Sequence, residues 1–416
     1  MSKPKLAVIG ASHFQLPLIE KAQQRGCEVH AFAWRCGDVG ESAADVFHPV
    51  SITEVDQIVD ECREVGVQGI CTIASDLATV AVCSVADALG LTGNSIECMR
   101  ASTDKSLMRA AFAAGGDPSP KHLLVGLRGG DAMAQSGVVL DEGELESFDP
   151  TAHGLDFPLI VKPTDRSGSR GVTKLERGVS REEIARALRD AFEQGFTKQA
   201  LVEEFAEGDE FSVEGMSWEG EHKILTITRK ATTGAPHFIE TAHLQPAFLA
   251  PETALRVESV VRHALDTLGV RYGASHSELK VAPDGTIKII EIGARMGGDC
   301  IGSHMVELST GIDYVGAVVD VALGNRPDLT PSHEPAAAAS RFLFDEGDLE
   351  LLRSVQRDHP ELVRYTHMTP PEDGSGHVVS DSSTRLGHFV MSAANAEDLL
   401  PYLPDQLVGI VRGSGA

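Results

Sequence analysis

Along the first hundred residues, short, mostly apolar runs alternate with stretches in which apolar positions recur every three to four residues. Residues 5–9, 28–33 and 69–73 are the runs, read as buried strands, while 14–25, 53–64 and 78–89 carry the helical period. This alternation predicts a parallel open α/β sheet. Past residue 100 the pattern changes. A helix is predicted from Lys105 to near Gly115 and Gly116, whereas 126–156 is rich in Gly, Asp and Glu without sustained period and reads as a loop-bearing insertion or lobe connector. Strands are predicted at 157–161, 200–205, 210–216, 275–281 and 286–292. After about residue 330, Pro and Ala runs give way to strands around 340–344 and 385–391, read as a closing subdomain that caps the preceding lobe or builds a dimer contact.

The last two strands before residue 300 hold the strongest chemical signal. They flank Asp284-Gly285, a hairpin centre, and a turn centred there sets Glu278 opposite Glu291. Their carboxylates would then share one face, with β-carbons about 5 Å apart. Like charges so placed destabilise a sheet unless a divalent cation sits between them, and hard oxygen ligands of this kind suit Mg²⁺ that also carries phosphates. The plain alternative is an exposed hairpin with solvated charges. Downstream, Glu291-Ile292-Gly293-Ala294-Arg295-Met296-Gly297-Gly298-Asp299 adds a guanidinium able to grip a phosphate and glycines that let backbone approach a ligand. His276 shares the face of Glu278, either as a contact for substrate or metal or simply packed.

Other segments offer complementary groups. Lys105 opposes the macrodipole at the front of its helix, which suggests a task for it, although a solvated lysine would also fit. Lys162-Pro163 is followed by a loop, 165–172, whose Ser167, Gly168, Ser169 and Gly171 could cover phosphates, with a plain surface turn as the alternative. It is not a P-loop, and Gly10-Ala11-Ser12-His13 lacks the dinucleotide fingerprint. Glu203 and Glu210, on neighbouring strands, could accept from an adenine amino group or ribose hydroxyls, or be solvated strand charges. Ser75-Asp76 lies past the carboxyl end of a strand, where open α/β sheets present ligand groups, or where Asp76 caps the next helix. The segment 230–243, with His237, Glu240 and His243, is read as a polar loop between strands lining an acceptor pocket.

With 416 residues the chain exceeds one ordinary core and predicts two to four lobes, and 42% hydrophobic residues suffice to bury them. A formal charge of −25 argues against a nucleic-acid partner, so small anionic ligands need local Lys and Arg. The seven cysteines form no C-x-x-C pair, which points away from zinc or a disulfide framework and towards a reducing cytoplasm. No stretch approaches the ~20 apolar residues of a membrane span. A homodimer is the commonest assembly to expect.

Taken in order, Lys105, Lys162-Pro163, Ser167 to Gly171, Glu203-Glu204-Phe205 with Glu210, His276-Ser277-Glu278 and Glu291 to Arg295 resemble the ATP-grasp superfamily over nearly the whole chain. The resemblance implies an α/β (α+β) fold: an N-terminal parallel preATP-grasp lobe over 1–100, an ATP-grasp domain over 101–330 with a small lid at about 120–200, and the closing subdomain over 331–416. The larger C-terminal lobe would carry an antiparallel sheet, with ATP between two such sheets. It further implies that Lys105 and Lys162 contact phosphates, that the 167–171 loop closes over them, and that Glu203 with the backbone of Glu204 and Phe205 holds adenine while Glu210 holds ribose. Glu278 and Glu291 would carry Mg²⁺, two ions with Mn²⁺ as an alternative, and Arg295 would hold the transferred phosphate. Ser75, His237, Glu240, His276, Gly297 and Gly298 are the candidate substrate contacts. One departure stands out: many members place Asn two residues after the second metal glutamate, where this chain has Gly293.

The Gly-Ala-Arg-Met-Gly-Gly-Asp form resembles the carboxylate–amine ligases of the superfamily, including L-amino acid ligases that make dipeptides. That resemblance implies transfer of the γ-phosphoryl group to a carboxylate, then displacement of phosphate by an amine. A bicarbonate-activating carboxylase of purine-pathway type is the alternative in the same fold, and a non-catalytic ATP-binding module is the third reading.

Overall fold

The computed structural model describes residues 3–129, 137–236, 238–369 and 378–408. The predicted N-terminal sheet is present as β1 (Lys5–Ile9), β2 (Glu28–Phe32), β3 (Val46–His48) and β4 (Gly69–Cys71), all parallel in the order β3-β2-β1-β4. Leu6 to Ile9 are wholly buried, as expected of a strand covered on both faces. Helices α1 (Leu16–Gln24), α2 (Val39–Ala43), α3 (Val55–Val65) and α4 (Asp76–Leu89) connect and cover these strands. Gly66 and Gly90 stop α3 and α4 in the left-handed conformation, which glycine adopts without steric cost.

Two further helices, α5 (Ile96–Thr103) and α6 (Lys105–Gly115), lead out of this lobe. Between them Asp104 accepts from the Ser106 and Leu107 amides, which fixes where α6 starts and so where Lys105 points. A second sheet, β6-β5-β9-β7-β8, is assembled from β5 (His122–Leu127), β6 (Val138–Leu140), β7 (Leu159–Pro163), β8 (Thr173–Leu175) and β9 (Gln199–Glu204). Helix α7 (Arg181–Gln194), with a Ser180/Glu183 capping box, buries Ile184, Leu188 and Phe192 in the core of this layer. The segment expected to be irregular, 126–156, therefore contains the last two residues of β5 and all of β6, although 130–136 lies outside the described residues.

The third sheet has eight strands in the order β14-β13-β10-β11-β12-β15-β17-β16. Its members are β10 (Asp209–Trp218), β11 (Glu221–Thr232), β12 (Glu240–Gln245), β13 (Gly273–Val281), β14 (Ile287–Gly293), β15 (Ala337–Leu343), β16 (Val363–Met368) and β17 (Gly387–Ala393), and every pairing is antiparallel. Helix α8 (Pro251–Thr267) packs Val257, Val261, Ala264 and Leu265 against Phe211, Val213, Leu279 and Ile289. Helices α9 (Val306–Thr310), α10 (Tyr314–Ala322) and α11 (Glu346–Asp358) complete the α-helices among the described residues. The segment 230–243 corrects the expectation of a loop: Lys230 lies in β11, and Glu240 and His243 lie in β12. The strands beyond residue 330 join this same sheet, β15 beside β12. No helix among the described residues is long and apolar enough to cross a membrane.

The β13–β14 hairpin brings Glu278 opposite Glu291, as expected, but by a different construction. Val281 pairs with Ile287, so the connection is longer than a two-residue turn, and a bulge between Glu278 and Leu279 on one side and Ile289 and Glu291 on the other restores the register. Ile290 is the extra residue, and its carbonyl accepts from Arg109 Nη2 at 2.7 Å.

Candidate active site

The second sheet, the β10–β14 edge of the third sheet and the start of α6 together enclose a cleft. Its lining is densely charged: Lys105, Lys162, Arg166, Arg170, Lys280 and Arg295 face Glu203, Glu204, Glu210, Glu240, Glu278 and Glu291. In a chain of net charge −25, six cations around one cavity form the local site that an anionic ligand requires.

On the β7–β9 side, Glu203 is buried between two cations, 2.6 Å from Arg109 Nε and 2.7 Å from Lys162 Nζ. Burial would push its carboxyl up, but Arg109 and Lys162 outweigh burial and hold it at about 2. Glu203 is therefore not a solvated strand charge. The amides of Glu204 and Phe205 donate to Lys121 and Pro158 carbonyls, both at 2.9 Å, so those two donors are committed and do not reach a base, contrary to part of the expectation. The Phe205 ring carries Lys174 at 4.1 Å and Lys280 at 4.7 Å. Beside it, Ile160, Val172 and Ile290 give the cleft an apolar slot. Ser167, Gly168 and Ser169 line the cleft, whereas Gly171 does not. A Cβ at Gly171, where φ is +66°, would stand 3.0 Å from Gln194 Cβ, so its role is packing.

On the opposite side Lys230, almost wholly buried, sits 2.7 Å from Glu278 and 3.3 Å from both Glu210 and Glu240. Lys105 pairs with Glu291 at 2.7 Å and donates to the Arg166 carbonyl at the same distance. His276 bridges Glu214 at 2.6 Å and Glu278 at 3.1 Å. Burial opposes its protonation, but the two carboxylates raise it to about 9. Burial pushes Glu210 up, whereas Glu278 is held down against burial chiefly by Lys230.

Arg295 lines the cleft with its guanidinium in a two-pronged pair with Asp76, Nε–Oδ1 at 2.7 Å and Nη2–Oδ2 at 2.8 Å. This pair accounts for Gly293: a Cβ there would lie 3.0 Å from Asp76 Oδ1 and 3.3 Å from Arg295 Cζ. Ser75, expected to touch substrate, instead caps α4 by accepting from the Ala78 amide, and does not line the cleft. Gly297 and Gly298 do not line it either. A Cβ at Gly297 would come 2.6 Å from His276 Nδ1, so glycine there lets the loop pass behind the histidine. Glu240 and His276 do line the cleft, and His237 lies outside the described residues.

No local sequence signal marks Arg109, Glu214 or Lys280, and Lys230 and Asp76 stand out only as members of segments. Arg109 and Lys230 are cations at buried positions, a signal present in the sequence but interpretable only once strand register is known.

Residues 155–303 match the family model of the ATP-grasp domain. The chain carries an ATP-grasp domain. Over 343 residues it is 26% identical to the alanine–anticapsin ligase of Bacillus subtilis, an alignment covering 74% of this chain and 68% of that protein. Two solved structures share the fold: the L-amino acid ligase of Bacillus licheniformis, at TM-score 0.74 and 22% identity over 100% of this chain and 98% of that one, and an ADP complex of N5-carboxyaminoimidazole ribonucleotide synthetase, at 0.75 and 15% over 100% and 99%. An ATP-grasp domain and a ligase among its sequence relatives are the two resemblances that bear on its chemistry. The cleft lies largely within its ATP-grasp domain, with Lys105 and Asp76 brought in from the preceding lobe and helix.

Proposed function

We propose that this protein phosphorylates a carboxylic acid to an acyl phosphate and couples it to the amine of an amino acid or similar small nucleophile, releasing ADP and phosphate. The observation that carries the reading is the Glu278–Glu291 pair, directly opposed across two strands and each held by a lysine, in a cleft that also contains Arg295.

The pair fits Mg²⁺. Two carboxylates face one another as hard oxygen donors, and Lys105 and Lys230 neutralise them meanwhile. No group of three metal-ligating side chains exists among the described residues, so the remaining oxygens would come from ATP phosphates and water, consistent with Gly293 in place of Asn. Bound there, Mg²⁺, or Mn²⁺, would withdraw charge from the phosphoryl oxygens.

The chain's own residues supply the rest. Lys162, and Lys105 once released from Glu291, would hold phosphates. The 167–169 hydroxyls and amides would cover them, with the layer at about 120–200 acting as a lid that excludes water from the acyl phosphate. The aromatic and apolar slot at Phe205 would take the base, Glu203 its amino group and Glu210 the ribose. Arg295, oriented by Asp76, would stabilise the phosphoryl group as negative charge shifts onto it. The amine nitrogen then bonds to the acyl carbon, the carbon–oxygen bond to phosphate breaks, phosphate departs with the electron pair, and nitrogen gives up a proton.

The test is ADP release from MgATP across amino acids singly and in pairs, with bicarbonate as a separate arm and Glu291→Ala as control. Release that needs an acid and an amine, and is lost in the control, is the expected result. Release with bicarbonate and a purine-type amine alone would overturn the acyl-phosphate reading in favour of a carboxylase.

A further inference from the structure

Arg385 lies just before β17, in the part of the chain that the sequence suggested was only structural. It is 8% exposed, its guanidinium is stacked 3.8 Å from the Phe342 ring centroid, and two of its three nitrogens are satisfied: Nη2 donates to both Asp299 oxygens at 2.8 Å, and Nε to the Ser382 carbonyl at 2.8 Å. Nη1 is buried and has no hydrogen-bond partner among the described residues. Nor does Nε2 of His243, whose ring packs edge-on against the same Phe342. A buried guanidinium nitrogen without an acceptor costs stability, so it marks a place where a ligand's acceptor belongs.

Two further features converge here. Asp299 and Cys300 both hold left-handed backbone, at φ +49° and +62°, and lead into a π-helical turn at Ile301–Met305, a combination of strain and irregular helix that clusters at binding sites. The Arg385 loop also reaches the cleft wall, because Ser382 Oγ donates to Glu240 Oε2 at 2.9 Å and Glu240 lines the cleft.

The chemistry of the proposed reaction needs such a group. When two amino acids are joined, two carboxylates enter and only one is to be phosphorylated; the other needs its own cation, away from the γ-phosphate. Arg295 is engaged beside the glutamate pair, and Arg166 and Arg170 belong to the loop that would cover the phosphates; Arg385, joined to the cleft wall through Ser382 and Glu240, is a further arginine with a donor to spare. We infer that Arg385, oriented by Asp299, binds the α-carboxylate of the amine-donating amino acid, so that the acceptor is a free amino acid rather than a simple amine or an amino-acid amide. This rests on the ligase reading above.

The experiment uses the full chain, MgATP and one activated acid with three acceptors: a free amino acid, its carboxamide, and hydroxylamine, which traps an acyl phosphate as hydroxamate without a carboxylate. The wild type prefers the free amino acid to its carboxamide, and Arg385→Gln raises the amino-acid KM and lowers the ratio of peptide to hydroxamate roughly 10- to 100-fold, with partial recovery in Arg385→Lys. Hydroxamate formed by the variant shows that it is folded. Equal use of amino acid and carboxamide by the wild type, or peptide and hydroxamate falling together in Arg385→Gln, overturns the inference. No hydroxamate with any acid in the wild type overturns the ligase reading itself.

Discussion

At the scale of single residues, charge neutralisation decides what each cleft group can do. Glu203 is the counter-ion of two buried cations, Arg109 with no exposure and Lys162 with 6%. Replacing it by Gln leaves both unpaired, so Glu203→Gln should cost about 3–5 kcal/mol in urea unfolding. A solvated strand charge would move stability by less than about 1 kcal/mol. Gly293 gives a second test. Because any side chain there meets the Asp76–Arg295 pair, Gly293→Asn should lower thermal stability by about 1–3 kcal/mol and reduce turnover. Tighter Mg²⁺ dependence with full activity would show instead that the slot accepts a third ligand.

At the scale of elements, β12 and β17 each bury a histidine in the largest sheet, His243 and His388. Burial foremost, then the neighbouring Lys230 for His243, and His367 and Arg385 for His388, push both down to about 3 from the usual 6.5. The unfolded chain therefore takes up these protons first. Their contribution is intact above about pH 6.5 and is lost as pH falls towards 3, at a cost of about 3 kcal/mol for each histidine by pH 4. Denaturation midpoints measured from pH 7 down to about 4 should fall along this slope, and His388→Gln should flatten it; an unchanged slope in the variant would refute the assignment. These strands also show what local pattern can and cannot reveal. Mostly apolar runs such as 5–9 identified buried strands, and Asp-Gly identified the β13–β14 hairpin. The five-residue α2 and three-residue β3 are too short for a period to register, and the bulge at Ile290 shows only in the pairing. Lys230 to His243 read as a loop because its polar residues carry no strand period, and what they face, such as the Lys230–Glu240 pair across two strands, shows only in the fold.

At the scale of the whole molecule, three sheets bring together groups that are far apart in sequence. Arg295 meets Asp76 across 219 positions, Lys105 meets Glu291 across 186, and Glu203 meets Arg109 across 94. No periodicity encodes such pairs. The motif-bearing residues were legible because their types and order suit phosphoryl chemistry, whereas their partners were not, because a lone Asp or Arg says nothing about what it will face. Net charge behaves similarly: −25 is a sum over the whole chain and conceals a cleft in which six cations stand against six carboxylates. The central claim is that a carboxylate oxygen of one substrate accepts the phosphoryl group before the amine attacks. The direct measurement is mass spectrometry of the phosphate released when the acid carries heavy oxygen in its carboxylate. The account predicts labelled phosphate in step with amide product, and neither from Glu291→Ala; amide formed with unlabelled phosphate would contradict it.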